Sequence, residues 1–325
     1  MICNCSEQAT SCLYFPRTAT MSLYFTCKGS VIMSSMIPSI TGTTQLYGLL
    51  GSPVHHSKSP LMHNLSFQYH GLDSVYLCFE ISEEQLKTAV DGLKAAGIRG
   101  FNLTMPNKNR MVELCDHLSP EASLMQAVNT VVNRGGELYG YNTDGAGFWQ
   151  AAAETDFSPA GKTITILGAG GAGTAICAQA ALDGARKINI FSRPSSRFHQ
   201  RTEELAKAIC STTQSTAELY DSADMTALKR CVSESDMLIN ATSVGMNPHP
   251  ENCIVTDPEI FYPGLNVCDV IYDPQETRFL SMAKERGCIT SNGMYMLLYQ
   301  GAVAFRHFTG LDMPTELVKE KFFSK

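Results

Sequence analysis

The chain of 325 residues has no apolar stretch approaching the roughly 20 residues that cross a bilayer. It has no basic block either: 25 Lys and Arg against 31 Asp and Glu leave a formal charge of −6. That balance argues against nucleic acid or an anionic membrane as the main partner. A disulfide framework is also missing. The 12 cysteines include one close pair, Cys3 and Cys5, with Cys12 and Cys27 behind it. The rest are isolated, several inside apolar runs where a thiol behaves as a small buried hydrophobe. A reducing, cytoplasmic setting without structural disulfides is expected. The 8 histidines, His55, His56 and His63 among them, lack paired ligand spacing, so no metal site is expected.

What remains is ample core material, 44% hydrophobic against 17% charged, and a length fitting about two domains. Residues 1–42 differ from the rest. They are rich in Ser, Thr, Cys and Met, carry no regular period, and lack the basic start and apolar core of a secretory signal. They read as a disordered extension or as sequence upstream of a later start at Met21, Met33 or Met36.

From Gln45 onward short apolar runs alternate with amphipathic stretches, the pattern of an α/β protein. Strands are predicted at Leu46–Leu50, Val75–Ile81 and Gly100–Leu103, and a hairpin joins Val131–Asn133 to Leu138–Tyr141. A helix starts at Ser59, read as its N-cap, with Pro60 in the first turn. Another runs from Glu83 to Ala96 and closes at Gly97. A second α/β unit begins at Lys162, with strands at Thr163–Leu167, Lys187–Phe191, Met237–Asn240, Leu265–Ile271 and Cys288–Thr290. A helix over Glu276–Arg286 stops at Gly287, and the last 30 or so residues form two helices that nothing obliges to pack on the second unit.

Thr163–Leu167 runs directly into Gly168, Ala169, Gly170, Gly171, Ala172 and Gly173. A lone G-x-G-x-x-G is weak, but here it lies between a buried strand and a small-residue helix. That context fits a dinucleotide fingerprint: Gly168 for the turn, Gly170 for approach to the pyrophosphate, Gly173 for close packing. An NAD enzyme commonly places a carboxylate at the end of the next strand for the ribose hydroxyl. This chain has Ser192, Arg193 and Arg197 there and no acid. Two guanidinium groups suit a 2′-phosphate, so NADP is expected, with NAD as the alternative. The bland reading is a pair of solvated arginines.

Other strings carry polar residues where α/β sheets bind ligands. They are Ser57-Lys58-Ser59-Pro60, then Asn102-Leu103-Thr104-Met105-Pro106-Asn107-Lys108, then Ala127-Val128-Asn129-Thr130 and Asn142-Thr143-Asp144-Gly145. Downstream stand Asn240-Ala241-Thr242, Asp269-Val270-Ile271-Tyr272-Asp273-Pro274, and Met296-Leu297-Leu298-Tyr299-Gln300-Gly301. Taken together, in this order, they resemble the shikimate dehydrogenase family, including its quinate/shikimate branch, over roughly residues 44–320.

The resemblance implies a two-domain α/β fold. Residues 43–145 plus about 293–325 would form a substrate-binding catalytic domain, and 146–292 a Rossmann-type dinucleotide domain. It implies Lys108 and Asp144 as the catalytic pair. Ser57, Ser59, Asn102, Thr104, Asn129, Tyr272 and Gln300 would bind substrate, and Thr242 and Gly293 would join the cofactor set. Oxidising a secondary alcohol needs a base for the hydroxyl proton and a cation for the developing alkoxide, which a Lys beside an Asp supplies. The expected activity interconverts shikimate and 3-dehydroshikimate with NADP in aromatic biosynthesis, in a monomer or homodimer. Rivals are a quinate or dual enzyme using NAD, a folate-type dehydrogenase, and a non-catalytic sensor on the same fold. One departure is Tyr295, standing where relatives often carry a glycine near the nicotinamide.

Overall fold

Strands buried on both faces need continuous apolar sequence, whereas helices covering them need only one apolar stripe. Both patterns alternate through the computed structural model, which describes residues 40–323. The proposed extension therefore lies outside the described residues, apart from residues 40–42, and so do Cys3, Cys5, Cys12 and Cys27. The first half runs β1 (Gln45–Gly51), α1 (Ser59–Tyr69), β2 (Ser74–Glu80), α2 (Leu86–Ala95), β3 (Gly100–Leu103), β4 (His117–Leu118), α3 (Pro120–Met125), β5 (Thr130–Arg134), β6 (Glu137–Tyr141) and α4 (Asp144–Ala153). The second runs β7 (Thr163–Leu167), α5 (Gly171–Leu182), β8 (Lys187–Ser192), α6 (His199–Thr212), β9 (Thr216–Asp221), α7 (Met225–Ser233), β10 (Met237–Asn240), β11 (Asn266–Asp269), α8 (Arg278–Glu285) and β12 (Ile289–Ser291). Two closing helices follow, α9 (Met294–Thr309) and α10 (Thr315–Phe322).

The first sheet has the order β2-β1-β3-β5-β6-β4. Its strands β2, β1 and β3 are parallel, and β5 is antiparallel to β3 and β6. The expected hairpin is present: Arg134 pairs with Glu137 across Gly135 and Gly136, whose φ values of 64° and 98° suit a two-residue primed turn. The second sheet is entirely parallel, β12-β11-β10-β7-β8-β9. Counted from its own first strand this is the doubly wound order, and strand progression reverses between β7 and β10, where such sheets bind ligands.

Helices cover both faces of each sheet. Tyr47, Phe67, Tyr76 and Phe305 fill one side of the first sheet, and Leu86, Phe101 and Val131 the other. The closing helices pack on this half: α9 and α10 contact α1, and Leu298 and Phe305 sit in its core. Between the halves, α4 packs against both α5 and α9. Glycine permits this, since a Cβ on Gly145 would lie 2.4 Å from the Ala175 carbonyl oxygen.

Some local expectations need correction. Ser59 is not the N-cap of α1; Lys58 holds that position, and the Ser57 hydroxyl accepts the Ser59 N–H at 3.1 Å. The helix expected over Glu276–Arg286 starts only at Arg278, because Thr277 caps it by accepting the Leu280 N–H. Strand β9 was missed: its sequence, Thr-Ala-Glu-Leu-Tyr-Asp, lies at a half-exposed sheet edge and carries little apolar signal. No helix among the described residues is long and apolar enough to cross a membrane.

Candidate active site

The loops leaving the carboxyl ends of β1 and β3 are tied together. Ser52 N–H donates to the Met105 carbonyl at 3.0 Å, and Thr104 N–H to that of Leu50 at 3.0 Å. They wall a cavity of about 330 Å³ lined by Ser57, Ser59, Asn102, Thr104, Lys108, Asn129, Asp144, Tyr272 and Gln300. Every residue singled out for substrate from the motifs thus faces one space, although they are scattered from residue 57 to 300 along the chain. Tyr272, 49% exposed, is the least enclosed of them.

Within it, Lys108 Nζ lies 2.6 Å from Asp144 Oδ2. Asp144 opens α4, so its carboxylate sits at the positive end of a helix. Its other oxygen accepts Asn129 Nδ2 at 2.8 Å. The Lys108 backbone is pinned by Val128, whose N–H donates to the Lys108 carbonyl at 2.8 Å. The side chains are 25% and 13% exposed, so water screens their attraction only partly. Below them Tyr76 is fully buried, and burial holds its phenol well above the ordinary range against a smaller opposing effect from the Ser59 hydroxyl. It is a neutral hydrogen-bond donor at any ordinary pH.

The cavity also contains residues to which the sequence motifs assign no role: His56, Val270, Met296 and Leu297. Two of these were within reach. Met296 and Leu297 stand four and three residues before Gln300, hence on the same face of α9. Tyr295 is on another face. Its ring lies 4.8 Å from Lys319 Nζ and does not line the cavity.

The glycine turn lies at the switch point of the second sheet. Gly168 has φ +99°, and a Cβ there would come within 2.5 Å of the Thr242 side chain beyond β10. A Cβ on Gly173 would lie 2.1 Å from the Gly168 carbonyl oxygen, whereas nothing stands within 4 Å of the corresponding point on Gly170. The turn therefore has a compact back and an open front, as a pyrophosphate cradle at a helix N-terminus requires. Ser192 is buried at the end of β8, and Arg193 and Arg197 are exposed just beyond it. Arg197 lies over the Phe198 ring at 4.6 Å. The carboxylate in register with Ser192 is Asp221 on β9, and it accepts the Ala223 N–H at 2.9 Å. These residues fit a dinucleotide bearing a 2′-phosphate.

A buried polar knot joins turn and cavity. Thr242 Oγ1 donates to Asn240 Oδ1 at 2.7 Å, and Asn240 Nδ2 reaches both Asp269 oxygens at 3.2 Å. Asp269 also accepts from Ile271 N–H and the Thr277 hydroxyl. Burial raises its pKa, opposed by those hydrogen bonds. The Ile271 carbonyl then accepts the Gly293 N–H at 3.1 Å, and Gly293 lines the cavity. Among the described residues no cluster of His, Cys, Asp and Glu could hold a metal ion.

A doubly wound sheet with a glycine turn, beside an α/β half carrying a Lys–Asp pair in a cavity set with hydroxyls and amides, defines an α/β oxidoreductase of the dinucleotide-dependent type. Family models agree in detail. The shikimate dehydrogenase substrate binding domain matches residues 49–131, and the shikimate 5′-dehydrogenase C-terminal domain matches 293–321. The shikimate dehydrogenase (NADP(+)) of Alkaliphilus metalliredigens is 47% identical over 293 residues, covering 88% of this chain and 99% of that relative. The chain belongs to the shikimate dehydrogenase family.

Two solved structures frame its place there. Shikimate 5-dehydrogenase from Listeria monocytogenes, in complex with shikimate and NAD, is 46% identical with a TM-score of 0.84, over 87% of this chain and 97% of that one. Quinate dehydrogenase from Corynebacterium glutamicum, in complex with NAD, is 30% identical with a TM-score of 0.76, over 87% and 99%.

Proposed function

We propose that this protein is a shikimate dehydrogenase that interconverts shikimate and 3-dehydroshikimate with NADP(H). The observation that carries the reading is the Lys108–Asp144 pair at 2.6 Å, inside a cavity lined by the other motif residues. The high identity to relatives named as NADP(+) shikimate dehydrogenases favours it over the quinate alternative. The substrate-binding domain is assigned to residues 43–145 and about 293–325, and the dinucleotide domain to 146–292. The match of family models at 49–131 and 293–321 supports that division. The cytoplasm is the proposed location, in keeping with the free cysteines among the described residues.

Bound NADP+ supplies the hydride acceptor. Ser57 and Ser59, at the start of α1, offer hydroxyls to the substrate carboxylate. Thr104, Asn129 and Gln300 position ring hydroxyls. As the carbinol hydrogen leaves with its electron pair, the hydroxyl proton passes to the Lys108–Asp144 pair, and the Lys108 ammonium steadies the oxygen while it carries negative charge. Lys108 Nζ and Asp144 Oδ2 are 2.6 Å apart, so the proton is assigned to the pair rather than to one atom. Gly168, Ala169, Gly170, Gly171, Ala172 and Gly173 hold the pyrophosphate, with Ser192, Arg193 and Arg197 at the 2′-phosphate and Thr242 and Gly293 completing the cofactor set.

Initial rates with shikimate or quinate, each paired with NADP+ or NAD+, test the assignment. The fastest pairing is expected to be shikimate with NADP+. Preference for quinate would move the protein to the other branch, and inactivity in all pairings would favour a sensor.

A further inference from the structure

A one-way series of hydrogen bonds runs under the cavity floor. The Tyr76 hydroxyl donates to Asn102 Oδ1 at 2.7 Å. Asn102 Nδ2 donates to Thr130 Oγ1 at 2.9 Å and to the Asn129 backbone carbonyl at 3.1 Å. Thr130 Oγ1 donates to Asn129 Oδ1 at 2.8 Å, and Asn129 Nδ2 donates to Asp144 Oδ1 at 2.8 Å. Two backbone groups dictate this direction. A carbonyl can only accept, so the Asn129 carbonyl fixes the nitrogen side of Asn102. An N–H can only donate, so Thr143 N–H, 2.9 Å from Asn129 Oδ1, fixes the oxygen side of Asn129. Both hydrogens of the Asn102 amide are therefore taken, and what it can offer the cavity is its carbonyl oxygen.

Tyr76 is held for this task from two sides. Its backbone is gripped by the Asn64 side chain, which accepts Tyr76 N–H at 2.8 Å and donates to its carbonyl at 2.9 Å. Its ring stacks on His63 at 4.4 Å and 5°. A core residue would need only the ring. The hydroxyl is aimed at a cavity-lining amide.

We propose that Tyr76 is a positioning residue: its hydroxyl locks Asn102 with the amide oxygen available to a substrate hydroxyl and anchors the hydrogen-bond series that ends on Asp144. The inference rests on the shikimate reading above. Asn102 then acts as an acceptor toward the substrate and discriminates in favour of a ring hydroxyl that can donate.

Tyr76→Phe keeps the ring against His63 and removes only the hydroxyl. Its KM for shikimate is expected to rise about tenfold, the factor of one lost hydrogen bond, with kcat within threefold of wild type and KM for NADP+ unchanged. Asn102→Ala should mask the effect, so that the double variant is no worse than Asn102→Ala alone. Thr130→Val should also raise KM for shikimate, and Thr130→Ser, which retains a hydroxyl, should restore it. An unchanged KM in Tyr76→Phe, an equal rise in both KM values, or additive effects in the double variant would overturn the proposal. Calorimetric titration with shikimate separates the two levels. Wild type that neither binds nor oxidises shikimate overturns the functional reading and this inference with it. Wild type that does both, beside an indistinguishable Tyr76→Phe, overturns this inference alone.

Discussion

Lys108 shows how little a single residue says by itself. As sequence it is a lysine in a turn, and only its place in Asn102-x-Thr104-x-Pro106-x-Lys108 sets it apart; the fold then brings it to Asp144, 36 positions away, at 2.6 Å. Lys108→Ala is expected to lower kcat by roughly 10³-fold, the scale of lost acid–base and charge stabilisation, while the NADP+ dissociation constant stays within a few-fold. Turnover near wild type would remove Lys108 from catalysis. The role of an apolar cavity residue such as Val270 is not legible even inside its motif, because an apolar wall has the same sequence signature as core. Arg193 and Arg197 are proposed to carry the cofactor preference: replacing both with Ala should weaken NADP+ far more than NAD+, and an equal loss would remove them from the 2′-phosphate. His63 gives a pH prediction. It is fully buried and its Nδ1 has no hydrogen-bond partner, and burial lowers its pKa to about 3. The neutral ring is favoured in the fold, so stability is complete above pH 6.5 and falls as acid protonates the unfolded chain. Between the two pKa values the loss is roughly 1.4 kcal/mol per pH unit. Urea midpoints at pH 7 and pH 5 should therefore converge in His63→Phe compared with wild type, and an unchanged gap would contradict the assignment.

At the scale of elements, legibility followed burial. Strands such as β7, with every residue buried, were read to the residue, and Gly135-Gly136 marked its hairpin through a backbone need that glycine meets. Exposed β9 and two-residue β4 were invisible, since neither presents enough apolar surface to set a period. The cap of α1 differs from the expectation by one position, Lys58 for Ser59, and the start of α8 by two, because only backbone geometry fixes a helix end. The α4–α9 crossing was illegible for a different reason: close approach of helices depends on small residues that sequence alone cannot pair. Gly147 makes that crossing possible, for a Cβ there would lie 2.4 Å from Gln300 N and 2.7 Å from its Cα. Gly147→Ala is expected to destabilise by about 1–3 kcal/mol through overpacking, and to raise KM for shikimate by displacing Gln300. Gly92→Ala on α2 meets nothing within 4 Å and should instead stabilise by about 0.5–1 kcal/mol. Matched melting curves for the two would separate crowding from ordinary helix propensity; equal shifts would contradict the crossing argument.

Across the whole molecule, the doubly wound order and the return of the closing helices to the first half emerge from contacts between distant segments, which no local period encodes. The resemblance of motifs supplied that topology; composition supplied only α/β. The two halves are not beads on a string. Helix α4 touches α5 and α9, the Arg201 guanidinium on α6 donates to the Met125 carbonyl at 2.5 Å, and the Asn240–Asp269 knot reaches Gly293 at the cavity. A ligand held by the second sheet should therefore stabilise both halves together. NADP+ at 100 times its dissociation constant adds about 2.7 kcal/mol by mass action. At about 1.5 °C per kcal/mol for a chain of this size, the calorimetric transition should move up by roughly 4 °C. It should move as one peak. A split trace, with only one component responding to NADP+, would mean that the contacts through α4, Arg201 and Gly293 are too weak to couple the halves, and that cofactor affinity and the stability of the Lys108–Asp144 cavity can be altered independently.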